Sequence, residues 1–316
     1  MFMPDQTPRR LTRRTLAAGA TALGAAASLR GRAGAHLEAV ASPDATPSPD
    51  SPALLLRMEP FGGTQPPELQ LIATPDFSLF NDGSIYRLGP VIAVFPPAAL
   101  PNVTRMQVSA SAIAAIMGEA RAAGLDQPLT VPNEPLSAES PSHRFLFNDH
   151  GTMVESRVWG LNVDAEQAPD WGDEALAQHQ ALRTFAAYLA NLPMSLPAED
   201  LLEQEMPIDP DRLQVLSFEA SPDLALASGV PNFDQPPLEW PLATSLEERS
   251  TPLELDPEPG LPALGCVEIG GADAQAVVET SRQGDLLSPW LDDGTTYGVL
   301  LKPLLPDQRG CLPPNP

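Results

Sequence analysis

Two stretches, SLFNDGSIYRLG (78–89) and FLFNDHGTMVESRVWG (145–160), each carry Leu-Phe-Asn-Asp into a reversal that contains glycine. Asn, Asp and Gly tolerate the positive φ that tight hairpins demand, and the flanking residues are the apolar and β-branched types that suit a pleated surface. Both stretches therefore read as β-hairpins. The shared tetrapeptide shows common turn chemistry and is too short to demonstrate a duplication.

Working outward from the first hairpin, short apolar runs continue on both sides: ALLLRM (53–58), ELQLIA (68–73), DFSLF (76–80), SIYRL (84–88) and VIAVF (91–95). Each is bounded by proline, glycine or Asn-Asp, the pattern of an antiparallel meander. Two helices interrupt the strands. Ser109 or Ser111 caps a helix predicted to run to about Ala123, with Ile113, Ile116, Met117 and Ala120 on one face and Gly124 as the stop. A second helix begins near Asp170, gathers Asp173 and Glu174 in its first turn, and ends before Pro193, with Leu176, Leu182, Phe185, Ala186 and Leu189 on its buried face.

The expected fold is α+β. An antiparallel sheet meander with helices on one face spans 53–192, an acidic, proline-punctuated connection spans 193–211, and a smaller disulfide-closed lobe spans 212–316. That lobe opens with the strand RLQVLSFE (212–219) and holds a long proline-rich segment, 221–262. It ends on a strand–helix–strand unit: LGCVEI (264–269), a helix over Asp273–Gln283, and Tyr297–Pro303 after the turn Asp292-Asp293-Gly294. The pattern is equally compatible with one body of two lobes and with two domains.

Ahead of the body lies LTRRTLAAGATALGAAASL (11–29). A bilayer span needs about 20 apolar residues, and the charge-free run from Leu16 to Leu29 is shorter and weakly apolar. Arg13 and Arg14 form a twin-arginine pair, and A-x-A patterns follow at 33–35 and 39–41, so residues 1–35 read as a cleavable twin-arginine-type signal peptide. An ordinary secretory signal and an uncleaved anchor are the other readings, and cleavage after Ala41 is the alternative site. Residues 36–52, rich in Pro, Ser and Asp, read as a disordered lead. The expected location is secreted or envelope-associated, with no stable membrane span after cleavage.

The chain has 316 residues and a formal charge of −23. Removing the signal takes away six arginines and one acid, Asp5, and leaves the remainder more acidic still. Such a field repels nucleic acid and anionic headgroups, so no nucleic-acid partner is expected. Lys302 is the only lysine. In an oxidising compartment the only two cysteines, Cys266 and Cys311, are expected to form a disulfide; a reactive cysteine or a metal-bound pair is the alternative.

Catalytic signatures are missing: no G-x-S-x-G, S-x-x-K, H-E-x-x-H, Walker A loop or G-x-G-x-x-G occurs. His143 and His150 sit at the start and the turn of one hairpin, where shared metal ligation is an unforced alternative, and His179 falls on the apolar face of the second helix, as a partly buried structural histidine or, alternatively, a site residue. The acidic turns at 81–83, 148–149 and 292–294 lack the ordered ligand series of a calcium loop. No cofactor is expected. Trp240, within FDQPPLEWPL, is a possible contact surface; more often such a tryptophan plugs its own long loop onto the core.

The stretches DFSLFNDGSIYRLGPVIAVFPPAALPNV, LGCVEIGGADAQ and LSPWLDDGTTYGVLLKPLLPDQRGC resemble exported proteins of GC-rich bacteria with no assigned activity, over most of 53–311. The resemblance implies the order of hairpin, helix, hairpin, helix and cysteine-bearing tail, and implies no catalytic position. The function expected from the sequence is a non-catalytic, exported binding or envelope-associated module whose partner is an unidentified protein or envelope component. An extracellular hydrolase using carboxylates or a metal, and an inhibitor of a secreted protease, are the alternatives.

Overall fold

The computed structural model describes residues 52–61, 67–129, 131, 142–161, 171–220, 233–253 and 264–311. The expected signal peptide, with Arg13 and Arg14, and the lead as far as residue 51 lie outside them. The first sheet has seven strands: β1 (Leu54–Phe61), β2 (Phe77–Phe80), β3 (Ser84–Leu88), β4 (Val103–Val108), β5 (Ser142–Asp149), β6 (Thr152–Trp159) and β7 (Leu201–Pro207). Their order is β6-β5-β1-β2-β3-β4-β7, antiparallel throughout. The second sheet has six: β8 (Arg212–Glu219), β9 (Leu238–Glu239), β10 (Thr251–Pro252), β11 (Gly265–Gly270), β12 (Trp290–Asp292) and β13 (Thr295–Pro303). They run β10-β11-β8-β13-β12-β9, and β12–β9 is the one parallel pair among them. The helices are α1 (Pro67–Leu71), α2 (Ala110–Ala122), α3 (Asp173–Ala190), α4 (Leu192–Ser195), α5 (Leu246–Arg249) and α6 (Gly271–Ser281).

Both Leu-Phe-Asn-Asp turns grip the start of β1. The Asn81 side-chain oxygen accepts the Ala53 N–H at 2.9 Å, and the Asn148 amide donates to the Leu54 carbonyl at 2.9 Å. Since β1 lies between β2 and β5, the repeated asparagine satisfies backbone groups where the central strand begins, from either side. A β-bulge between Leu54 and Leu56 then switches facing. Leu56 enters the core beneath the helices, whereas Leu54 joins Phe80, Val103 and Leu305 on the opposite face.

The main core forms where α2 and α3 cover one face of the first sheet, burying Phe77, Leu79, Ile85, Met106, Phe145 and Phe147 with Ile116, Leu182, Phe185 and Leu189. The Ser109 hydroxyl accepts the Ala112 N–H and caps α2; Gly124, at φ +87°, ends it. The Ser109 and Ser111 hydroxyls both donate to the Asp200 carboxylate, the Ser109 bond being the stronger influence, and hold that carboxyl below the usual range. The same contact seats β7, because Ser109 N–H also donates to the Asp200 carbonyl at 3.0 Å.

The other face of the first sheet meets the second sheet through charge as well as apolar contact. Arg57 donates to Ser78 Oγ at 3.1 Å and to Asp307 at 2.6 Å, just beyond β13. Glu59 pairs with Arg144. Lys302, on β13, lies in the field of Glu59, Arg57 and Arg144; desolvation first, and the two arginines after it, depress its pKa against the opposing pull of Glu59. On the far side of the second sheet, α6 buries Ala274, Val277 and Val278 against Leu213, Val215, Ile269, Val299 and Leu301.

The α+β class, the meander, the helices on one face and the disulfide-closed C-terminal sheet are as expected. Three readings change. Residues 68–73, expected as a strand, open with helix α1, since Pro67 at its first position presets φ and gives up no needed N–H. Residues 91–95, expected as a strand, pair with nothing among the described residues. The stretch 193–211, expected as a connection, contributes α4, a 3-10 turn at Ala198–Asp200 and the edge strand β7. On an open edge, exposed Glu203 and Pro207 discourage further pairing, so an acidic, proline-bearing pattern is compatible with a strand there.

Candidate functional site

The unpaired residues 91–95 belong to a long reversal between β3 and β4. Its base is closed where Gly89 N–H donates to the Asn102 carbonyl at 2.8 Å and the Asn102 amide donates to the Pro90 carbonyl at 2.9 Å. A Cβ at Gly89 would stand 2.6 Å from Asn102 Nδ2 and 2.7 Å from Thr104 Cγ2, so the close approach needs glycine. Farther out, the Leu286 N–H donates to the Pro97 carbonyl at 2.8 Å, and Ala98 bridges to Asp285 in the second sheet's half of the molecule. Asp285 is itself fixed by the Leu287 N–H and by Gln235. Between these two anchorages the chain turns tightly, with Val94 N–H donating to the Ile92 carbonyl.

Under this reversal lies a cavity of about 700 Å³. Its wall draws on distant parts of the chain: Pro60 from β1, Leu69 and Ile72 around α1, Leu88 from β3, Leu100 from the reversal and Leu286 from the segment before β12. Among the described residues no charged side chain lines it, and the polar side chains that do are those of Thr74 and Asn102. Asn102 is engaged with Pro90. The Thr74 hydroxyl is buried and has no hydrogen-bond partner among the described residues. Size and lining match sites that take small molecules, which are concave, mainly apolar and sparing in polar groups. Among the described lining residues the one hydroxyl is that of Thr74, and the rest of the surface they present is aliphatic apart from Asn102.

A second cavity, about 300 Å³, is bordered by Tyr86, Asp209, Asp211 and Arg212 with Leu304 and Leu305. Of its charged groups, Asp209 pairs with Arg282 and Arg212 with Glu268. Burial pushes the Tyr86 phenol up, which keeps it a neutral donor.

The histidines do not assemble. His143 places Nε2 3.3 Å from Asp76, while its buried Nδ1 has no partner among the described residues. A hydrolytic triad would need a nucleophile at that nitrogen. His150 sits exposed at the β5–β6 turn beside Asp149. His179 is fully buried, with Nε2 3.2 Å from the Gly160 carbonyl and its ring edge-to-face with Trp171. Desolvation pulls its pKa down and outweighs the Gly160 contact. Among the described residues no three His, Cys, Asp or Glu side chains gather as metal ligands. Asp292 Oδ2 accepts the Leu246 N–H at 2.6 Å, which commits that acidic turn to anchoring α5.

Cys266 and Cys311 are joined in a disulfide. Trp240, named as a candidate contact surface, is buried: its indole N–H donates to the Thr244 carbonyl at 3.1 Å and its ring packs edge-to-face with Trp290. The prolines around it deliver the ring inward, so the loop-plugging alternative is what the fold adopts. The cavity itself escaped sequence reasoning. Its one visible signal was the absence of any charged residue from Leu88 to Thr104 in a chain otherwise dense in acids.

The chain matches no family model, no curated protein and no solved structure.

Proposed function

We propose that this is an extracytoplasmic binding protein that takes an apolar small molecule, of acyl-chain or similar character, into the cavity beneath residues 88–102. The observation that carries the reading is the lining: about 700 Å³ bordered by aliphatic side chains and prolines, with no charged side chain among the described residues and one buried hydroxyl without a partner among them. Filling such a space with hydrocarbon is favourable by about 0.8 kcal/mol per buried CH₂. The twin-arginine-type segment at 11–29 and the Cys266–Cys311 bridge support placement outside the cytoplasm, where a carrier or sensor of poorly soluble molecules has a use. No helix among the described residues is long and apolar enough to cross a membrane.

The test is titration with N-phenyl-1-naphthylamine, a neutral fluorophore that brightens in apolar surroundings. Saturable, one-to-one binding is expected. Ala73→Trp, which places an indole on the cavity wall, is expected to weaken it at least tenfold while the far-ultraviolet dichroism stays the same. Equal binding by both proteins would sink the assignment.

A further inference from the structure

Val91, Ile92, Val94 and Phe95 are 74%, 81%, 58% and 77% exposed. A contiguous set of large apolar side chains this open marks a contact surface, for protein or for membrane. We propose that the Val91–Phe95 tip seats in the interfacial layer of a zwitterionic lipid bilayer and so brings the cavity to the phase in which apolar molecules are stored. The inference rests on the cavity reading above for its purpose, though not for its geometry.

Four features favour a bilayer over a protein partner or a second copy. The tight turn at 92–94 breaks any continuous row of backbone donors, and Pro90, Pro96 and Pro97 have no N–H, so strand addition by a partner has no edge to use. The same prolines reduce the number of backbone N–H groups that would be left without water at interfacial depth. No charged residue occurs from Leu88 to Thr104, so nothing in the reversal resists entry into headgroups and the first methylenes. A second copy would bring another chain of charge −23 against the first, which opposes self-association. The same charge selects among membranes: an anionic surface repels the body at low salt, whereas a zwitterionic one does not. Val91, Ile92 and Val94 also line the cavity, so the inserted side chains border the route into it. Both ends of the reversal are pinned, so the tip is presented without first having to be ordered.

The experiment is vesicle co-sedimentation with the whole oxidised chain. Binding is expected to phosphatidylcholine vesicles, several-fold weaker at low ionic strength when half the lipid is phosphatidylglycerol, with the deficit closing as salt is added. Phe95→Asp, at a side chain that does not line the cavity, is expected to lower the partition coefficient about tenfold or more, since one buried phenyl accounts for that much. Its affinity for N-phenyl-1-naphthylamine is expected to stay within twofold. Because both proteins keep the same N-terminal segment, the difference between them reads the tip. Ala93→Trp supplies an independent signal: its emission is expected to shift to the blue on phosphatidylcholine and to be quenched by the dibrominated lipid. Vesicle binding unchanged by Phe95→Asp, an unquenched Trp at 93, or a dimer in light scattering that Phe95→Asp dissolves would each overturn the proposal. Loss of fluorophore binding with vesicle binding intact would remove the cavity reading and leave the membrane contact standing.

Discussion

Breaking the Cys266–Cys311 bridge with a Cys266→Ala/Cys311→Ala pair should weaken the fold by a calculable amount. The cysteines are 45 residues apart. Constraining an unfolded chain over that span removes about 13 cal/mol/K of loop entropy, or roughly 4 kcal/mol at 25 °C. The native side adds a consequence. The bridge fastens the tail to β11, and on the way there the tail places Leu305 in the cluster with Leu54 and Phe80 and sets Asp307 against Arg57. Hydrogen bonds from Gly310 N–H to Glu268 at 2.9 Å and from Cys311 N–H to Gln214 at 3.4 Å assist, but each is worth only about 1 kcal/mol. Those bonds alone do not match the bridge. In a domain of this size a loss of roughly 4 kcal/mol lowers Tm by about 8–16 °C. Differential scanning calorimetry of the oxidised protein and the double variant measures it. A loss below about 1 kcal/mol would refute the reasoning, because it would mean the tail is held by its non-covalent contacts.

Thr74→Val removes a buried hydroxyl that has no partner and keeps the shape, so it is expected to raise stability by about 1 kcal/mol in urea titration; a loss of that size would reveal a hidden partner. The His179 imidazole has its pKa lowered in the fold from an ordinary value near 6.5, so above that pH it contributes no pH dependence. As pH falls below it, the unfolded chain takes up a proton that the native ring refuses, and stability drops down to the lowered native value. His179→Gln should flatten that part of the stability profile, and an unaltered slope would assign the effect elsewhere. Lys302 has the same sign at the other end: its pKa is depressed below 10.5, so stability should rise with pH in the window just below 10.5. Lys302→Met should abolish that rise without weakening the protein at neutral pH, and a marked loss there would mean that the ammonium is a needed partner of Glu59.

What the sequence disclosed were elements whose local chemistry and tertiary role agree. Ser109 and Gly124 bracket α2, Asp173 and Glu174 open α3, and the strand at 212–219 is buried along nearly its whole length. The cysteine pair followed from the expectation of an oxidising compartment. What stayed hidden depended on partners remote in the chain. VIAVF has every side-chain preference of a strand, yet β structure needs an adjacent edge, and here the prolines and the clamp at 89–102 hold the segment away from one. In β4, VTRMQV, arginine and glutamine alternate with Met106 and Val108 on a face that meets charge, which mutes the apolar signal. β7 looked like a connection because an edge strand with acidic exposed positions has no apolar alternation to read. The cavity is more distributed still, with walls running from Pro60 to Leu286, and no spacing rule brings these together. Trp240 marks the opposite limit, an indole whose proline-rich context allowed either display or plugging and whose carbonyl partner, Thr244, holds it inside.

The central claim is that the space beneath residues 88–102 holds an apolar molecule. Intermolecular nuclear Overhauser effects between bound N-phenyl-1-naphthylamine and the methyl groups of isotope-labelled protein test it most directly. Contacts are expected to the methyls of Ile72, Leu100 and Leu286, three residues from separate parts of the chain that all line this cavity. Contacts confined to exposed side chains elsewhere, such as Leu202 and Met206 on the β7 edge, would contradict it.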